Sequence, residues 1–401
     1  MKILVLNSGS SSIKYSVFEM TDLQVLISGI IEQIGETQSL HKYYLSNAMG
    51  NIHKYQEEQN ISDHQQGLAT IFQLLQKSEV VKQASDLFAI GHRVVHGGEK
   101  FQQPTLISAE VITDIEKMIP LAPLHNPANL KGIEVSIQFA AKTPQVAIFD
   151  TAFHQSIPEH AFHYPIPKTL YQQQKIRRYG FHGTSHYFVA KQAASFLNKP
   201  LSSLNLITLH LGNGGSATAI KQGKSIDTSM GMTPLEGLMM GTRSGDIDPA
   251  IPYFLNKNCD MSIDAIDSML NKQSGLKGIC GENDMRAIHS MADQGNKDAE
   301  LAIEMYCYRI KKYIGAYCAV LGSVDAIIFT GGIGENDVQI REIVCHDLPL
   351  LGISIDQQKN STIAAEVVDI KDDQSALSVL VIKTDEELEI AMQTMHCVKS
   401  I

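Results

Sequence analysis

The feature that most constrains the fold is a strand-turn-strand pattern at the start of the chain. The apolar run Ile3–Leu6 leads into a turn of small residues, Asn7–Ser12, and a second strand-like run, Ile13–Phe18, follows at once. This pattern predicts a β-hairpin. No residue in the turn is larger than Asn, so a ligand can lie close to the backbone. Its N–H and hydroxyl donors suit a phosphate, although an ordinary Ser/Gly hairpin is the alternative that this turn alone leaves open.

A similar pattern occurs near the middle of the chain. The run Leu206–Leu211 leads into the turn Gly212–Thr218, and Ala219–Lys221 follows. Four residues of the first hairpin match four of the second with one constant offset: Asn7, Gly9, Ser10 and Ser12 match Asn213, Gly215, Ser216 and Thr218. Unless the match is chance, it predicts two related halves that each direct a phosphate-binding turn towards a common cleft.

Composition limits the class of protein. A chain of 401 residues with 44% hydrophobic content can form two or three domains with large cores. The net charge of −10, without a block of Lys or Arg, disfavours nucleic acid as a partner. No apolar run approaches the ~18 residues of a membrane span, and the early first strand leaves no room for a signal peptide. Six cysteines without a CxxC pair indicate reduced thiols, so we expect a cytoplasmic protein.

The order of the predicted elements indicates an α/β protein. Residues 1–60 read as a β-meander, and strands and helices alternate after it. The helix that follows the meander is predicted to begin at Ser62, with Gln65 as its capping partner. The long segment Asp227–Pro249 lacks periodicity, which is typical of a functional loop.

A third turn of small residues, Gly331–Asn336, follows the apolar strand Asp325–Phe329 and precedes a helix. A helix N-terminus after a glycine turn is suited to anions. Three such turns predict a nucleotide held at several phosphates. Neither the GxxxxGK[ST] nor the GxGxxG pattern is present, so the site is not of the Walker A or Rossmann type.

Two arginines lie within glycine-rich segments: Arg93 in Gly91–Gly98 and Arg243 in Gly241–Asp246. The guanidinium group suits bidentate binding of phosphate or carboxylate. Fixed positive charge around the moving group supplies most of the catalysis in phosphoryl transfer. A surface ion pair is the alternative role for each arginine.

His182 and His125 precede small or rigid residues and could donate to a transferring phosphoryl oxygen, although a capping or core role is the alternative for each. Asp150 follows a buried strand and could orient a nucleophile or hold water on a metal. No GxSxG elbow and no zinc-ligand spacing occurs, so any metal should be Mg²⁺ with oxygen ligands.

Together these segments resemble one known family. Val5–Lys14 and Phe149–His154 are similar to the two signatures of acetate kinases. Further blocks resemble that family in the same order: Gly91–Phe101, Leu121–Pro127, Arg178–His186, Asp227–Pro249 and Thr330–Asn336. The resemblance spans essentially the whole chain. It implies an α/β fold of two duplicated actin-like, ribonuclease H-like domains, as in sugar kinases and Hsp70, with ATP in the cleft.

The resemblance also implies the domain limits. Residues 1–150 with 385–401, the returning C-terminal helix, would form the first domain, on the acetate and Mg²⁺ side. Residues 151–384 would form the second, which would bind the nucleotide and contribute the interface of a homodimer.

The implied activity is reversible, direct in-line transfer of the γ-phosphoryl group of ATP to acetate, giving acetyl phosphate and ADP. Mg²⁺ would be required, with Mn²⁺ able to substitute, and the product would couple the enzyme to a phosphate acetyltransferase. Two alternatives are a propionate kinase and, more remotely, a non-catalytic Hsp70-like nucleotide-gated binding protein. Val95 favours acetate, because a β-branched side chain narrows the acyl pocket.

Residue roles follow by matched position. Asn7 and Glu386 would position Mg²⁺. Arg93 would bind the carboxylate of acetate and, with Arg243, the transferring phosphoryl group, while Asp150 would orient the substrate carboxylate.

The remaining roles concern the rest of the implied site. His182 would hydrogen-bond the phosphoryl group, with support from His125. The methyl pocket would comprise Val95, Leu124, Phe181 and Pro234. The nucleotide would contact Lys14, Asn213, Gly214, Asp284, Arg286, Gly332, Ile333, Gly334, Glu335 and Asn336.

Overall fold

A computed structural model of the chain describes residues 1–46, 51–123 and 125–400. The chain divides into two compact units, which we call unit 1 (Met1–Ala152 with Asp385–Ile401) and unit 2 (Phe153–Thr384). The division predicted from the resemblance placed its boundaries at residues 150 and 384.

Unit 1 is built on a mixed sheet that begins with the predicted meander. Its strands are β1 (Lys2–Ser8), β2 (Ser12–Glu19), β3 (Gln24–Glu32), β4 (Ser39–Ser46), β5 (Ile52–Gln59), β6 (Leu87–Val94), β7 (Thr105–Leu106) and β8 (Gln145–Phe149). Their order in the sheet is β5-β4-β3-β2-β1-β6-β8-β7. β1 to β5 pair in antiparallel fashion, whereas β1, β6 and β8 are parallel neighbours, so their carboxyl ends meet at one edge.

Three helices of unit 1 lie between β5 and β8 in the sequence: α1 (His64–Lys77), α2 (Ala109–Lys117) and α3 (Asn126–Phe139). The predicted capping of α1 is wrong by one residue. Asp63, in extended conformation, is the cap and accepts from the Gln66 backbone N–H at 2.9 Å. The Gln66 side chain in turn accepts from the Ser62 backbone at 2.8 Å, so the capping partners are Asp63 and Gln66.

Unit 2 contains a second sheet with the same central arrangement. Its strands are β9 (Asn205–Leu211), β10 (Gly215–Lys221), β11 (Lys224–Thr228), β12 (Ala326–Thr330), β13 (Val367–Asp369) and β14 (Ser378–Ile382). The order is β11-β10-β9-β12-β14-β13. The series β11-β10-β9-β12-β14 repeats β3-β2-β1-β6-β8 in order and strand direction. The predicted duplicated α/β fold is therefore confirmed at the level of the sheets.

The two hairpins correspond, but the residue-by-residue match between them is wrong. Asn7 lies on β1, where it pairs with Lys14 of β2. Asn213 lies in the turn between β9 and β10, where the Gly212 N–H donates to the Gly214 carbonyl at 3.0 Å. Alignment of the two hairpins by a constant sequence offset therefore matches a strand residue with a turn residue.

The helices of unit 2 are α4 (Glu159–Phe162), α5 (Lys168–Gln174), α6 (Gly183–Phe196), α7 (Ala250–Asn258), α8 (Ile263–Lys272), α9 (Gly275–Cys280), α10 (Met285–Asp293), α11 (Lys297–Leu321), α12 (Gly331–Asn336), α13 (Val338–Cys345) and α14 (Gln357–Ser361). α6 packs on β9, β12 and β14, and α11 packs on β9 and β10. The glycine turn predicted at Gly331–Asn336 is itself helical. Gly331, with φ +77°, reverses the chain after β12, so the helix begins without a separate loop.

The last helix, α15 (Glu386–Lys399), belongs to unit 1 and packs on β1, β6 and β8. A Cβ atom at Gly91 on β6 would overlap the Thr394 hydroxyl and lie 3.0 Å from Ile390 Cγ2. Glycine at this position therefore permits the close approach of α15 to the sheet. Among the helices in the described ranges, none has the length and apolar character needed to cross a membrane.

Candidate active site

The first group of polar side chains lies at the carboxyl edge of the parallel strands of unit 1. Arg93, the penultimate residue of β6, donates from Nε to Asp150 Oδ1 at 3.1 Å and from Nη2 to Asp150 Oδ2 at 2.5 Å. Its Nη1 donates to Asn7 Oδ1 of β1 at 3.3 Å. The structure thus brings together three of the predicted residues. The ion pair orients the guanidinium group and leaves N–H groups of Nη1 and Nη2 for another ligand.

Glu386, the first residue of α15, adds a second carboxylate to this group. Burial raises the pKa of Glu386 to about 7; Arg93 and Lys14 act against this rise, whereas Asp150 and Glu387 add to it. A nearby divalent cation would favour the ionised form.

The oxygen donors of this group fit Mg²⁺. They are the Asn7 amide and the Asp150 and Glu386 carboxylates. Within the described ranges no three His, Cys, Asp or Glu side chains converge in a closed metal cage. One or two carboxylates with water and substrate phosphates is the usual environment of Mg²⁺ in kinases, so the donor set suits that ion.

Two asparagines hold the backbone that follows Arg93. The Val95 N–H donates to Asn129 Oδ1 at 3.0 Å, and the His96 N–H donates to Asn126 Oδ1 at 3.2 Å. Asn129 Nδ2 also donates to the Ser8 carbonyl at 2.7 Å, which connects the segment to the end of β1. Sequence reasoning missed both asparagines. The sequence signal that could have identified them is their position near the start of α3, close to Pro127.

The second group lies in unit 2, around the turn between β9 and β10. His182 precedes α6 with φ +56°, its ring stacks on His210 with centroids 4.3 Å apart, and Nδ1 lies 2.9 Å from Ser216 Oγ. A Cβ atom built on Gly214 would lie 3.6 Å from both His182 Nε2 and Arg243 Nη1. The imidazole and the guanidinium group therefore converge on the backbone of this turn.

Arg243 is a cation without a carboxylate partner in the described part of the chain. Its Nη1 donates to the Pro234 carbonyl at 3.1 Å, and burial lowers its pKa. Arg178, by contrast, donates to Glu236 Oε1 at 2.6 Å and to backbone carbonyls. Of the two arginines for which an ion pair was the alternative role, Arg93 pairs with Asp150, whereas Arg243 retains the capacity to bind an external anion.

A cavity of about 830 Å³ opens beside this turn within unit 2. Its size lies in the range of ~300–1,000 Å³ that is usual for small-ligand sites. The predicted nucleotide residues that line it are Asn213, Asp284, Arg286, Gly332, Ile333 and Asn336. It is also lined by Gly212 of the predicted turn and by residues to which the sequence assigned no role: Asn283, Met285, His289, Asp337, Val338 and Gln339. The sequence signal that could have identified the residues without an assigned role is their position in or beside the first turns of α10 and α13.

Four predicted nucleotide residues do not line the cavity. Gly214 lies beside His182 and Arg243, and Lys14 is an exposed residue of β2 in unit 1. Gly334 is buried, and Glu335 Oε1 accepts from the Gly331 and Thr384 backbone N–H groups at 2.8 and 3.0 Å. Glu335 therefore stabilises the turn before α12, a role that its sequence position did not reveal.

Polar pairs fix the walls of the cavity. Asp284 caps α10 and accepts from Arg286 Nη2 at 2.6 Å, and this contact lowers the pKa of Asp284. His289 Nε2 lies 2.8 Å from Asp337 Oδ2, and this hydrogen bond raises the pKa of His289. The exposed side chain of Arg286 lines the cavity, where it can contact a ligand.

The residues predicted to surround the acyl methyl group lie in both units. Val95 is buried in unit 1, whereas Phe181, which is buried, and Pro234, which is partly buried, belong to unit 2. Leu124 lies outside the described residues. His125 is the N-terminal cap residue of α3 and is partly buried.

The duplicated sheets, the cavity and the convergence of Arg243 with His182 at a glycine turn define a nucleotide-dependent phosphotransferase. The family model of the acetokinase family matches residues 2–392. The chain therefore belongs to the acetokinase family and is a kinase with ATP as a substrate.

Individual relatives are similar over their full length. The acetate kinase of a Sulfurovum species is 54% identical over 98% of both chains, and that of Desulfotalea psychrophila is 52% identical over 100% of both. The crystal structure of Porphyromonas gingivalis acetate kinase has a TM-score of 0.92 at 44% identity and covers 99% of both chains. A propionate kinase from Francisella tularensis also has a TM-score of 0.92, at 43% identity, with coverage of 98% of this chain and 99% of that one.

Proposed function

We propose that this protein is an acetate kinase that transfers the γ-phosphoryl group of ATP to acetate, giving acetyl phosphate and ADP. The observation that carries the proposal is Arg243, a partly buried guanidinium with no carboxylate partner in the described ranges, which meets His182 at the Gly214 turn. A transferring phosphoryl group is the kind of anion that such an arrangement stabilises.

In unit 1, Arg93 would bind the carboxylate of acetate with the N–H groups that Asp150 and Asn7 do not use. Asp150 acts by holding the guanidinium in one orientation through two hydrogen bonds. Acetate is already an anionic nucleophile at neutral pH, so the reaction requires no strong general base. Catalysis then depends on alignment and charge stabilisation.

We further propose that Asn7 and Glu386 position Mg²⁺, with Mn²⁺ able to substitute. When bound, the metal neutralises charge on the phosphates of the nucleotide. Removal of divalent cations with EDTA should abolish turnover, and addition of Mg²⁺ or Mn²⁺ should restore it. Full turnover without a divalent cation would contradict this part of the proposal.

The decisive experiment is an acetyl phosphate assay with hydroxylamine, ATP, Mg²⁺ and acetate. We expect hydroxamate formation, with a higher kcat/KM for acetate than for propionate because Val95 narrows the acyl pocket. ATP hydrolysis without an acyl phosphate would instead support a nucleotide-gated binding protein. A higher kcat/KM for propionate would make the protein a propionate kinase.

A homodimer would use an apolar surface of unit 2. α7 has no buried residue, and it exposes Ile251, Tyr253 and Phe254 at 40%, 77% and 61%. Contiguous apolar surface of this kind marks an interaction site. Light scattering should give the mass of a dimer for the unmodified chain and of a monomer for Phe254→Glu.

Acetyl phosphate released by the enzyme would be used by a phosphate acetyltransferase.

A further inference from the structure

A chain of side-chain hydrogen bonds extends from His182 into the interior of unit 2. Ser216, a fully buried residue of β10, has its Oγ 2.9 Å from His182 Nδ1 and 2.7 Å from His186 Nε2. His186 Nδ1 lies 2.7 Å from Thr208 Oγ1 of β9. The serine that sequence reasoning assigned to an anion-binding turn therefore contacts two imidazoles.

Two arrangements of this chain use the Ser216 hydroxyl proton in a hydrogen bond to one of the two imidazoles. Ser216 has one hydroxyl proton and can donate it to only one of its two imidazole neighbours. His186 is neutral, because burial lowers its pKa well below the usual value, so it carries one ring N–H. If Thr208 donates to His186, then His186 donates to Ser216 and Ser216 donates to His182 Nδ1. In the opposite direction, His182 donates from Nδ1 to Ser216.

The two directions have opposite consequences for the ring atom that faces the Gly214 turn. In the first, a neutral His182 carries its proton on Nε2, the atom near Gly214 and Arg243. In the second, a neutral His182 presents a lone pair there. The oxygens of a transferring phosphoryl group only accept hydrogen bonds, so only the first direction gives a favourable contact with a neutral imidazole.

The backbone at His182 is held independently by a different histidine. His154 Nε2 donates to the Phe181 carbonyl at 2.9 Å, and a carbonyl can only accept. Burial lowers the pKa of His154 to about 4, so the ring is neutral and its Nδ1 accepts from Ser225 Oγ at 2.9 Å. This contact supports the left-handed conformation of His182, while the stacking on His210 orients its ring.

We propose that Ser216 is a positioning residue that holds His182 in the tautomer with the proton on Nε2, ready to donate to the transferring phosphoryl oxygen. The proposal rests on the proposed kinase function of the site. Its physical basis is geometric, because the buried Ser216 Oγ lies within hydrogen-bond distance of His182 Nδ1 and can donate a proton to it.

The first test is the steady-state kinetics of Ser216→Ala in the full chain. We expect kcat to fall by roughly 10- to 100-fold while KM for ATP and acetate changes by less than about threefold, since the lost interaction acts in the transition state. Ser216→Thr, which keeps the hydroxyl, should recover most of the lost kcat. The matched control is Ser136→Ala in unit 1, which removes a fully buried hydroxyl that donates to the Gly132 carbonyl at 2.7 Å. It should leave kcat unchanged.

The second test reads the tautomer directly. In protein labelled with ¹⁵N-histidine, the signals of His182 are assigned by their loss in His182→Gln and are recorded with a non-hydrolysable ATP analogue and Mg²⁺. The wild-type protein should show a neutral ring protonated on Nε2, and Ser216→Ala should show a mixture of tautomers or an imidazolium.

Two results would overturn the proposal: wild-type kcat in folded Ser216→Ala, or a wild-type His182 that is protonated on Nδ1. The tautomer measurement needs only the wild-type protein and its assignment variant, so it decides the matter even if Ser216→Ala does not fold. A wild-type protein that forms no acyl phosphate would instead refute the proposed function and leave the tautomer measurement as a separate result.

Discussion

Two arginines of unit 2 show how the same side chain takes different roles. Arg178 contacts Glu236 and three backbone carbonyls, and 16% of its side chain is exposed. Arg243 is also partly buried, but its oxygen acceptor is the Pro234 carbonyl. Burial of a charge without an ionic partner costs stability, and an anionic ligand at Arg243 would offset this cost.

Replacement of Arg243 should separate activity from stability. Arg243→Ala should lower kcat by roughly 10²- to 10³-fold without lowering the melting temperature, because the substitution removes a charge that the fold does not neutralise. Arg243→Lys should be intermediate, since it keeps the charge and loses the planar fork.

The matched comparison is Arg178→Ala, which removes the cationic partner of Glu236. It should lower the free energy of unfolding by about 3 kcal/mol. Steady-state kinetics and urea titration measure both effects. Near-normal turnover in Arg243→Ala would refute its assigned role.

Val95 allows a residue-scale prediction about selectivity. Its side chain is buried, with 6% exposed, in the segment whose backbone is held by Asn126 and Asn129. Val95→Ala should raise the ratio of kcat/KM for propionate to that for acetate by roughly 5- to 100-fold, because one methylene is worth ~1–3 kcal/mol. Equal ratios in the variant and the unmodified enzyme would show that another side chain limits the pocket.

At the scale of a single element, the start of α12 combines a structural and a ligand-facing glycine. Gly331 has φ +77°, and a Cβ atom there would lie 2.8 Å from the Leu211 carbonyl oxygen. Gly332 is exposed, lines the cavity, and its added Cβ would meet no atom within 4 Å. Adjacent glycines in one turn are therefore required for different reasons, the first for backbone geometry and the second for access.

These two glycines give opposite predictions. Gly331→Ala should lower the free energy of unfolding by about 1–3 kcal/mol, because a Cβ is strained in this conformation and close to β9. Gly332→Val should leave the unfolding midpoint nearly unchanged and raise KM for ATP by about tenfold or more, since its side chain fills space in the cavity. Thermal unfolding and ATP titration distinguish them. A normal KM in Gly332→Val would place the nucleotide elsewhere.

At the scale of the whole molecule, buried neutral histidines connect stability to pH. Burial lowers the pKa of His92 in unit 1 and of His154 in unit 2 to about 4, and it lowers the pKa of His186 well below its usual value. In the unfolded chain each would titrate near 6.5. Between these values the unfolded state binds more protons than the folded state, so stability falls as pH decreases from about 6.5 towards 4.

Urea unfolding at several pH values should show this loss. Each of these histidines should contribute up to about 1.4 kcal/mol per pH unit within that window, and the slope should flatten above about pH 7. His92→Gln should reduce the slope, because it removes a ring that must remain neutral beside Gln145. The exposed His53→Gln is the control and should leave the slope unchanged. An equal slope in His92→Gln and the unmodified chain would show that the buried His92 does not contribute to the pH dependence of stability.

Much of the fold followed from local patterns. Both hairpins, the meander and the buried strand Gln145–Phe149 occur where apolar runs and small-residue turns predicted them. The short strand β7 was missed, because two residues carry no periodic signal and pair only once β8 is in place. The match of Asn7 with Asn213 was wrong because sequence offset does not encode strand register.

The sequence by itself determined the α/β class, the paired hairpins and the residue types suited to phosphoryl transfer, because these depend on short-range patterns and on family motifs. The tertiary structure decided which of those residues have partners. It paired Arg93 with Asp150, left Arg243 with a carbonyl, and turned Ser216 inward to two histidines. These outcomes depend on contacts between residues distant in sequence, which form only when strands and helices pack.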